Sequence, residues 1–126
     1  MKDELEKKLY DKYPDLLKDA FDFSPGDGWY NLVDKLLENL SALEPGIKVA
    51  QVKEKFGSMR FYVDYPQYYT EDNSRIANAL IDAAEEESSK TCEVCGEPGK
   101  GVSCMGWLKT LCDTHFKEWE SKRSVR

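Results

Sequence analysis

Histidine and cysteine are missing from the first 91 residues of this 126-residue chain. Thiolate or imidazole chemistry therefore belongs to the last third or to nothing. Positive charge is also scarce: 18 Lys and Arg face 24 Asp and Glu, for a formal charge of −6. An acidic surface repels phosphate backbones, so general nucleic-acid binding is disfavoured and only a local basic groove would support it. No run nears the roughly 18 apolar residues that a membrane span requires. The opening MKDELEKKLY mixes acidic and basic residues and lacks the apolar stretch of a secretion signal. A cytoplasmic, reducing location is the expectation, and there cysteine clusters hold metal or react more often than they form disulfides. Neither a Walker-type loop nor G-x-G-x-x-G occurs, which removes the common phosphate-cradling loops.

What is present suffices for a core. The chain is 40% apolar and 12% aromatic, and a chain of this length hides roughly two-thirds of its unfolded surface. Leu5, Leu9, Leu16 and Leu17 recur at helical spacing, with Tyr13 and Phe21 adding bulk. Pro14 interrupts them, so two short helices are predicted, the second starting near Pro14. FSPGDG (23–28) is a turn cluster. Trp29, Leu32, Val33, Leu36, Leu37, Leu40 and Leu43 then form one apolar stripe on a helix that Asp27 can cap and Glu44-Pro45-Gly46 stops.

Residues 47–65, IKVAQVKEKFGSMRFYVDY, are β-branched and aromatic with Gly57 between two runs. The pattern predicts an antiparallel hairpin turning near Lys55–Ser58. Met59, Phe61 and Val63 share one face; Arg60, Tyr62 and Asp64 share the other. The outward face offers Lys53, Lys55, Arg60 and Tyr62, and residues 46–69 carry four basic against two acidic side chains in an otherwise acidic body. Cations beside a tyrosine can hold a phosphate or an acidic loop, or simply keep a sheet face soluble. Tyr65, Tyr68 and Tyr69 follow; they line a pocket or pack half-buried at the sheet edge. Thr70 or Asp72 can cap a last body helix with Ile76, Ala77, Leu80, Ile81 and Ala84 inward. Glu85–Glu87 sit at its C-terminal end, where the helix dipole favours cations; fraying or a neighbouring basic group would resolve that conflict.

The stretch 91–116, TCEVCGEPGKGVSCMGWLKTLCDTHF, holds all the soft ligands. Cys92-x2-Cys95-Gly96 and, sixteen residues on, Cys112-x2-His115 are two close pairs at the spacing of a tetrahedral zinc site. Three thiolates and an imidazole suit Zn2+ over Mg2+ or Ca2+. A set using Cys104 instead of His115 would lack the short second spacing, so Cys92, Cys95, Cys112 and His115 are the expected ligands of one structural Zn2+ per chain. Cys104 is then a free thiol on the intervening hairpin.

This stretch resembles a treble-clef zinc module: a C-x2-C-G knuckle, a hairpin (here Lys100–Thr110), and a second ligand pair opening a helix through FKEWESK. The resemblance covers about 35 residues, and treble clefs serve many tasks. The expected fold is α+β. Residues 1–89 form a body of helices on a small antiparallel hairpin or sheet, and residues 92–126 form a zinc module docked on it through Trp107, Phe116 and Trp119. With GWYNLV, QVKEKFGSMRFYV, CEVCG and GWLKTLCDTH, the whole chain is also similar to small uncharacterised proteins carried by phages and bacteria. That likeness implies an accessory protein acting on a host protein, as an inhibitor or in anti-defence, in the host cytoplasm if phage-encoded.

The pattern weighs against catalysis. Four protein ligands close a zinc site, whereas a catalytic zinc keeps a position open. No second histidine is available for a His-metal nuclease, and the H-x-E and P-C-x-x-C signatures of zinc deaminases are absent. A hydrolase built on carboxylates stays open, since Asp and Glu abound, but nothing singles out a pair. Two binding readings remain. The favoured one is a protein partner, anchored by tyrosines and tryptophans. The alternative is a nucleotide-like anionic ligand held by Lys53, Lys55, Arg60 and the aromatics. Nucleic acid, through Lys117, Lys122, Arg123 and Arg126, ranks below both.

Overall fold

The computed structural model describes residues 1–20 and 22–124, without the side chains of Asp22, Arg123 and Ser124. The amphipathic start folds as helix α1, Asp3–Lys12. Leu9 is fully buried on its inner side. The second short helix expected near Pro14 does not form: residues 14–19 run as successive turns. Pro14 supplies no N–H, and the Leu16 carbonyl accepts from Val49 N at 2.8 Å, so this backbone is committed to the neighbouring strand. Leu16 and Leu17 are buried all the same. Phe21, counted toward this segment's bulk, lies outside the described residues.

Strand β1, Asp22–Phe23, is a short piece inside a stretch that reads as turn. It runs parallel to β2, Lys48–Lys55, which pairs antiparallel with β3, Ser58–Asp64, giving a three-stranded mixed sheet in the order β1-β2-β3. The β2–β3 hairpin turns at Phe56-Gly57, as the sequence pattern predicts. A register shift between Val49 and Gln51 keeps both Val49 and Val52 inward.

Helix α2, Tyr30–Ser41, follows a 3₁₀ turn at Asp27–Trp29. Asp27 does not cap it. Its Oδ1 accepts from the Lys2 backbone N–H at 2.8 Å and so ties the N-terminus down instead. Trp29, Val33, Leu36, Leu37 and Leu40 are buried, and Leu32 and Leu43 half-buried. Helix α3, Glu71–Ser88, starts at Thr70, whose hydroxyl accepts from Asn73 N at 3.3 Å. It presents Ala77 and Ile81 to the same core, where Val49, Val52, Met59 and Phe61 of the sheet meet the helices.

The acidic end of α3 has a use that neither fraying nor a basic neighbour describes fully. Glu85 Oε2 accepts from Phe61 N and Ser88 Oγ from Met59 N, each at 2.8 Å. These are outward amides of β3, an edge strand, and the helix closes that edge to further pairing. Glu86 meets Lys90 at 3.8 Å.

The last third holds a second, two-stranded antiparallel sheet, β4 (Lys100–Cys104) and β5 (Trp107–Leu111), and helix α4, Asp113–Ser124. The architecture is α+β, with a Cys/His cluster at the C-terminal end. Among the described residues no helix is long and apolar enough to cross a membrane.

Candidate functional site

The turn from Cys92 to Gly96 is built by backbone bonds. Gly96 N donates to Cys92 O (2.9 Å) and Cys92 N to Glu97 O (2.8 Å). Gly96 has φ +82°, a left-handed conformation that suits glycine. Glu93 N donates to Thr110 O (3.0 Å), which fixes the turn against β5. The second pair brackets the start of α4: Phe116 N donates to Cys112 O at 2.9 Å, and His115 stands one turn on. The two pairs thus converge.

The ligand atoms of Cys92, Cys95, Cys112 and His115 all lie within 4.8 Å of one another. Bonds of about 2.3 Å to sulfur and about 2.0–2.1 Å to nitrogen, set at tetrahedral angles, give edges of about 3.8 Å (S···S) and about 3.6 Å (S···N). The Cys95–Cys112 sulfurs are 3.8 Å apart, and Cys92 Sγ is 3.6 Å from His115 Nδ1. The Cys112–His115 edge is tighter, at 3.2 Å. The cluster can hold a metal ion in tetrahedral geometry, and the imidazole would bind through Nδ1.

The electrostatics agree. Burial pushes the Cys92 thiol up, but the backbone amides of Cys112, Cys95 and Val94, with the Cys95 thiol, bring it down to about 7. At Cys95 the Glu97 amide favours the thiolate, yet burial and the sulfurs of Cys92 and Cys112 outweigh it and push the thiol up to about 11. One sulfur ionises readily and its charge holds the next protonated. A divalent cation at the centre would relieve that conflict by favouring the thiolates of Cys92 and Cys95 together. Cys104 is not part of the cluster. It sits on β4 opposite Trp107, and no disulfide involves any of the four cysteines.

The knuckle is also where the last third meets the body. Gly28 N donates to Glu93 O (3.0 Å), and the buried Trp29 donates its Nε1–H to Thr91 O (2.9 Å). Farther along, the Thr110 hydroxyl donates to Gly57 O at the tip of the first hairpin. Trp107 is not a buried anchor of this junction: it is 60% exposed. Phe116 and Trp119 are half-buried against each other on α4, ring centroids 6.5 Å apart. The sequence signal for the true contact was the pair Gly26 and Gly28 before Trp29. A Cβ at either would stand 2.2 Å from a carbonyl oxygen of the knuckle.

The other candidate residues separate into two groups. Lys53, Lys55, Arg60 and Tyr62 share the outward face of the β2–β3 ladder, with Lys53 directly opposite Arg60. Lys53 Nζ lies 5.6 Å from the Tyr62 ring centroid. Among the described residues no carboxylate stands within ion-pair distance of Lys53, Lys55 or Arg60. Tyr65 and Tyr69 lie elsewhere, rings 5.3 Å apart, with hydroxyls donated to Asn78 Oδ1 (2.6 Å) and Glu44 O (2.7 Å). Burial raises both phenols above their usual value, with help from nearby carboxylates. Tyr68 is 69% exposed and lies over Gly46. Of the C-terminal cations, Lys117 and Lys122 are exposed on α4, while Arg126 and the Arg123 side chain lie outside the described residues.

Comparison of the chain with models of known families, with curated proteins and with solved structures finds no match in any of the three.

Proposed function

We propose that this is a non-catalytic binding protein whose C-terminal third is a treble-clef-like module held by one structural Zn2+, and that its ligand is another protein. Cys92, Cys95, Cys112 and His115 would take all four positions on the ion, leaving none for a water or substrate. The zinc then supplies folding energy to a knuckle that the body contacts directly. The observation that carries the binding role is the open β2–β3 face. Lys53 and Arg60 oppose each other there without a carboxylate, a local cost that charge from outside the chain would relieve. From the motif resemblance alone, we propose further that it is an accessory protein that modulates a host protein in the cytoplasm.

A nucleotide-like ligand is the second reading, favoured by the Lys53–Tyr62 pair. A panel of nucleotides in thermal-shift assays separates the two. A bound ligand at 100 times its dissociation constant adds about 2.7 kcal/mol of stability, and a protein binder ignores the panel. The double variant Lys55→Glu/Arg60→Glu tests the face itself. It should abolish partner binding while zinc content and melting temperature stay near the parent's, because Lys55 is exposed, Arg60 is half-buried on the outward face, and surface charges contribute only about 0–1 kcal/mol each. Undiminished binding by a folded double variant would remove this face from the site.

A further inference from the structure

Both hairpins turn through two residues with positive φ: Phe56 (54°) and Gly57 (83°) in the first, Met105 (51°) and Gly106 (86°) in the second. Such turns match the twist of the strands and favour Asn-Gly or Asp-Gly. Each keeps the glycine and puts a large apolar residue where Asn or Asp belongs. A side chain with Cβ is disfavoured in that conformation, and neither residue recovers the loss by packing: Phe56 is 71% exposed and Met105 58%. Trp107 (60%) and Leu108 (47%) stand beside them on β5.

The two tips converge. Gly57 packs on the Lys109 backbone, and a cavity of about 610 Å3 opens between Phe56, Glu54, Trp107, Leu108 and Lys109. Two aromatic residues exposed together around a cleft are the composition of an interface centre rather than of ordinary surface. Local strain joined to exposure at two separate turns points to a use outside the fold.

The charges around the cleft identify the occupant. Glu54 is engaged, accepting from Gly57 N at 3.2 Å, and Lys109 meets Glu93 at 3.1 Å. Lys55 stands at the rim with its ammonium 5.6 Å from the Phe56 ring centroid. Behind it, Lys53 and Arg60 continue a cationic strip along the sheet. Phe56 and Trp107 offer faces on which a base could stack, but Glu54 lines the cleft and the chain as a whole carries −6, so a long phosphate backbone fits less well than a short peptide.

We infer that the paired hairpin tips are the anchor site for an acidic polypeptide segment. One of its large apolar side chains enters the cleft between Phe56 and Trp107, and its carboxylates lie along Lys55, Lys53 and Arg60. This rests on the protein-partner reading and adds to it the anchor and the chemistry of the partner.

The test is selection from a displayed library of random 12-residue peptides on the full-length, zinc-loaded protein. The parent should enrich peptides of net negative charge that carry an aromatic or long aliphatic residue. Their affinity should fall at least tenfold in Phe56→Asn/Trp107→Thr, and fall with added salt in the parent but little in Lys55→Glu. Asn suits the conformation at position 56, so the melting temperature and zinc content of Phe56→Asn alone should equal or exceed the parent's. A lower melting temperature in Phe56→Asn would make the tip structural and overturn the proposal. So would failure to enrich any peptide, or enrichment of basic or uncharged ones. Peptides that enrich but ignore the Phe56→Asn/Trp107→Thr change would leave the protein-partner reading standing and remove the anchor. A nucleotide that shifts the melting temperature while no peptide enriches would remove both. Competition by a dT12 oligonucleotide, or a dimer in sedimentation that Trp107→Thr abolishes, would assign the cleft to a different occupant and equally overturn it.

Discussion

Gly28→Ala should uncouple the body from the metal knuckle. A Cβ at Gly28 would stand 2.2 Å from Cys92 O, 2.7 Å from Glu93 C and 2.7 Å from Gly96 N. All three are backbone atoms, so no side chain can swing aside. The knuckle is itself held by its own hydrogen bonds and carries two of the four clustered ligand residues, and the start of α2 is held by Trp29 in the core. Relief requires the two to part by about 1 Å, since contacts under about 3 Å are overpacked. That separation breaks the Gly28–Glu93 backbone bond and takes Trp29 Nε1 away from Thr91 O, leaving a buried donor without a partner.

Overpacking typically costs about 1–3 kcal/mol, and an orphaned buried donor adds about 1–3 kcal/mol. The stiffer unfolded chain offsets about 0.4–1 kcal/mol. The middle of these ranges gives a net loss of about 2–4 kcal/mol, and for a domain of this size each kcal/mol is worth about 3–5 °C. Thermal unfolding of the zinc-loaded protein should therefore show a fall of about 6–20 °C, and chelator competition should show weaker metal retention because the strain falls on the knuckle. Gly101→Ala on β4 is the control. Nothing lies within 4 Å of its Cβ, so its melting temperature should not fall. If Gly28→Ala melts with Gly101→Ala and keeps its metal equally well, the knuckle does not rest on the 26–29 loop and the reasoning fails.

Purified without chelator, the protein should contain one zinc per chain by elemental analysis. Cys92→Ser, Cys95→Ser, Cys112→Ser and His115→Ala should each lower it sharply and Cys104→Ser should not. Leu36→Ala, at a site 3% exposed in the shared core, should cost about 2–5 kcal/mol in denaturant unfolding; a change near zero would place the α2 stripe at an interface. Burial works against ionised Asp34, but the hydrogen bonds from Lys12 Nζ and Tyr13 Oη, each 2.8 Å, outweigh it and hold the carboxyl below its usual value. Its stabilisation is thus present above the unfolded carboxyl range and lost as pH falls through the lowered folded value. Asp34→Asn should lower stability by about 1 kcal/mol at pH 7 and show a smaller loss at pH 2–3.

The helices α2 and α3, the first hairpin and its turn, and the four clustered ligands were legible because each rests on a local periodicity or spacing. The rest depended on contacts distant in sequence. Residues 14–19 lost their helix to a strand more than thirty residues away, through the Leu16–Val49 bond. Strand β1 is too short to show alternation and exists because β2 offers it a free edge. Asp27 has the composition of a cap, yet the N-terminal backbone claims its carboxylate. Glu85, at the acidic end of α3, breaks the dipole rule and accepts from the Phe61 amide of β3, a partner that no reading of the helix alone would supply.

Trp107 was misread for a different reason. An apolar strand before a ligand pair reads as core, and the far half of β5 obeys: Thr110 and Leu111 are 2% exposed. The first hairpin crosses β5 at that half, where Gly57 meets Lys109 and Thr110. The near half, Trp107 and Leu108, projects past the crossing toward the second turn. Burial on β5 therefore changes along the strand instead of alternating across it, and the change falls where the cover ends. Trp107 is 60% exposed there and Leu108 47%. Thr110 seats the Cys92–Gly96 knuckle through the Glu93 amide, and Trp107 stands three residues earlier, outside that contact. A polar residue would serve that turn at least as well, and the same holds for Phe56 across the cleft. On the protein-partner reading, the apolar residues at these tips would answer to the side chain that enters the cleft.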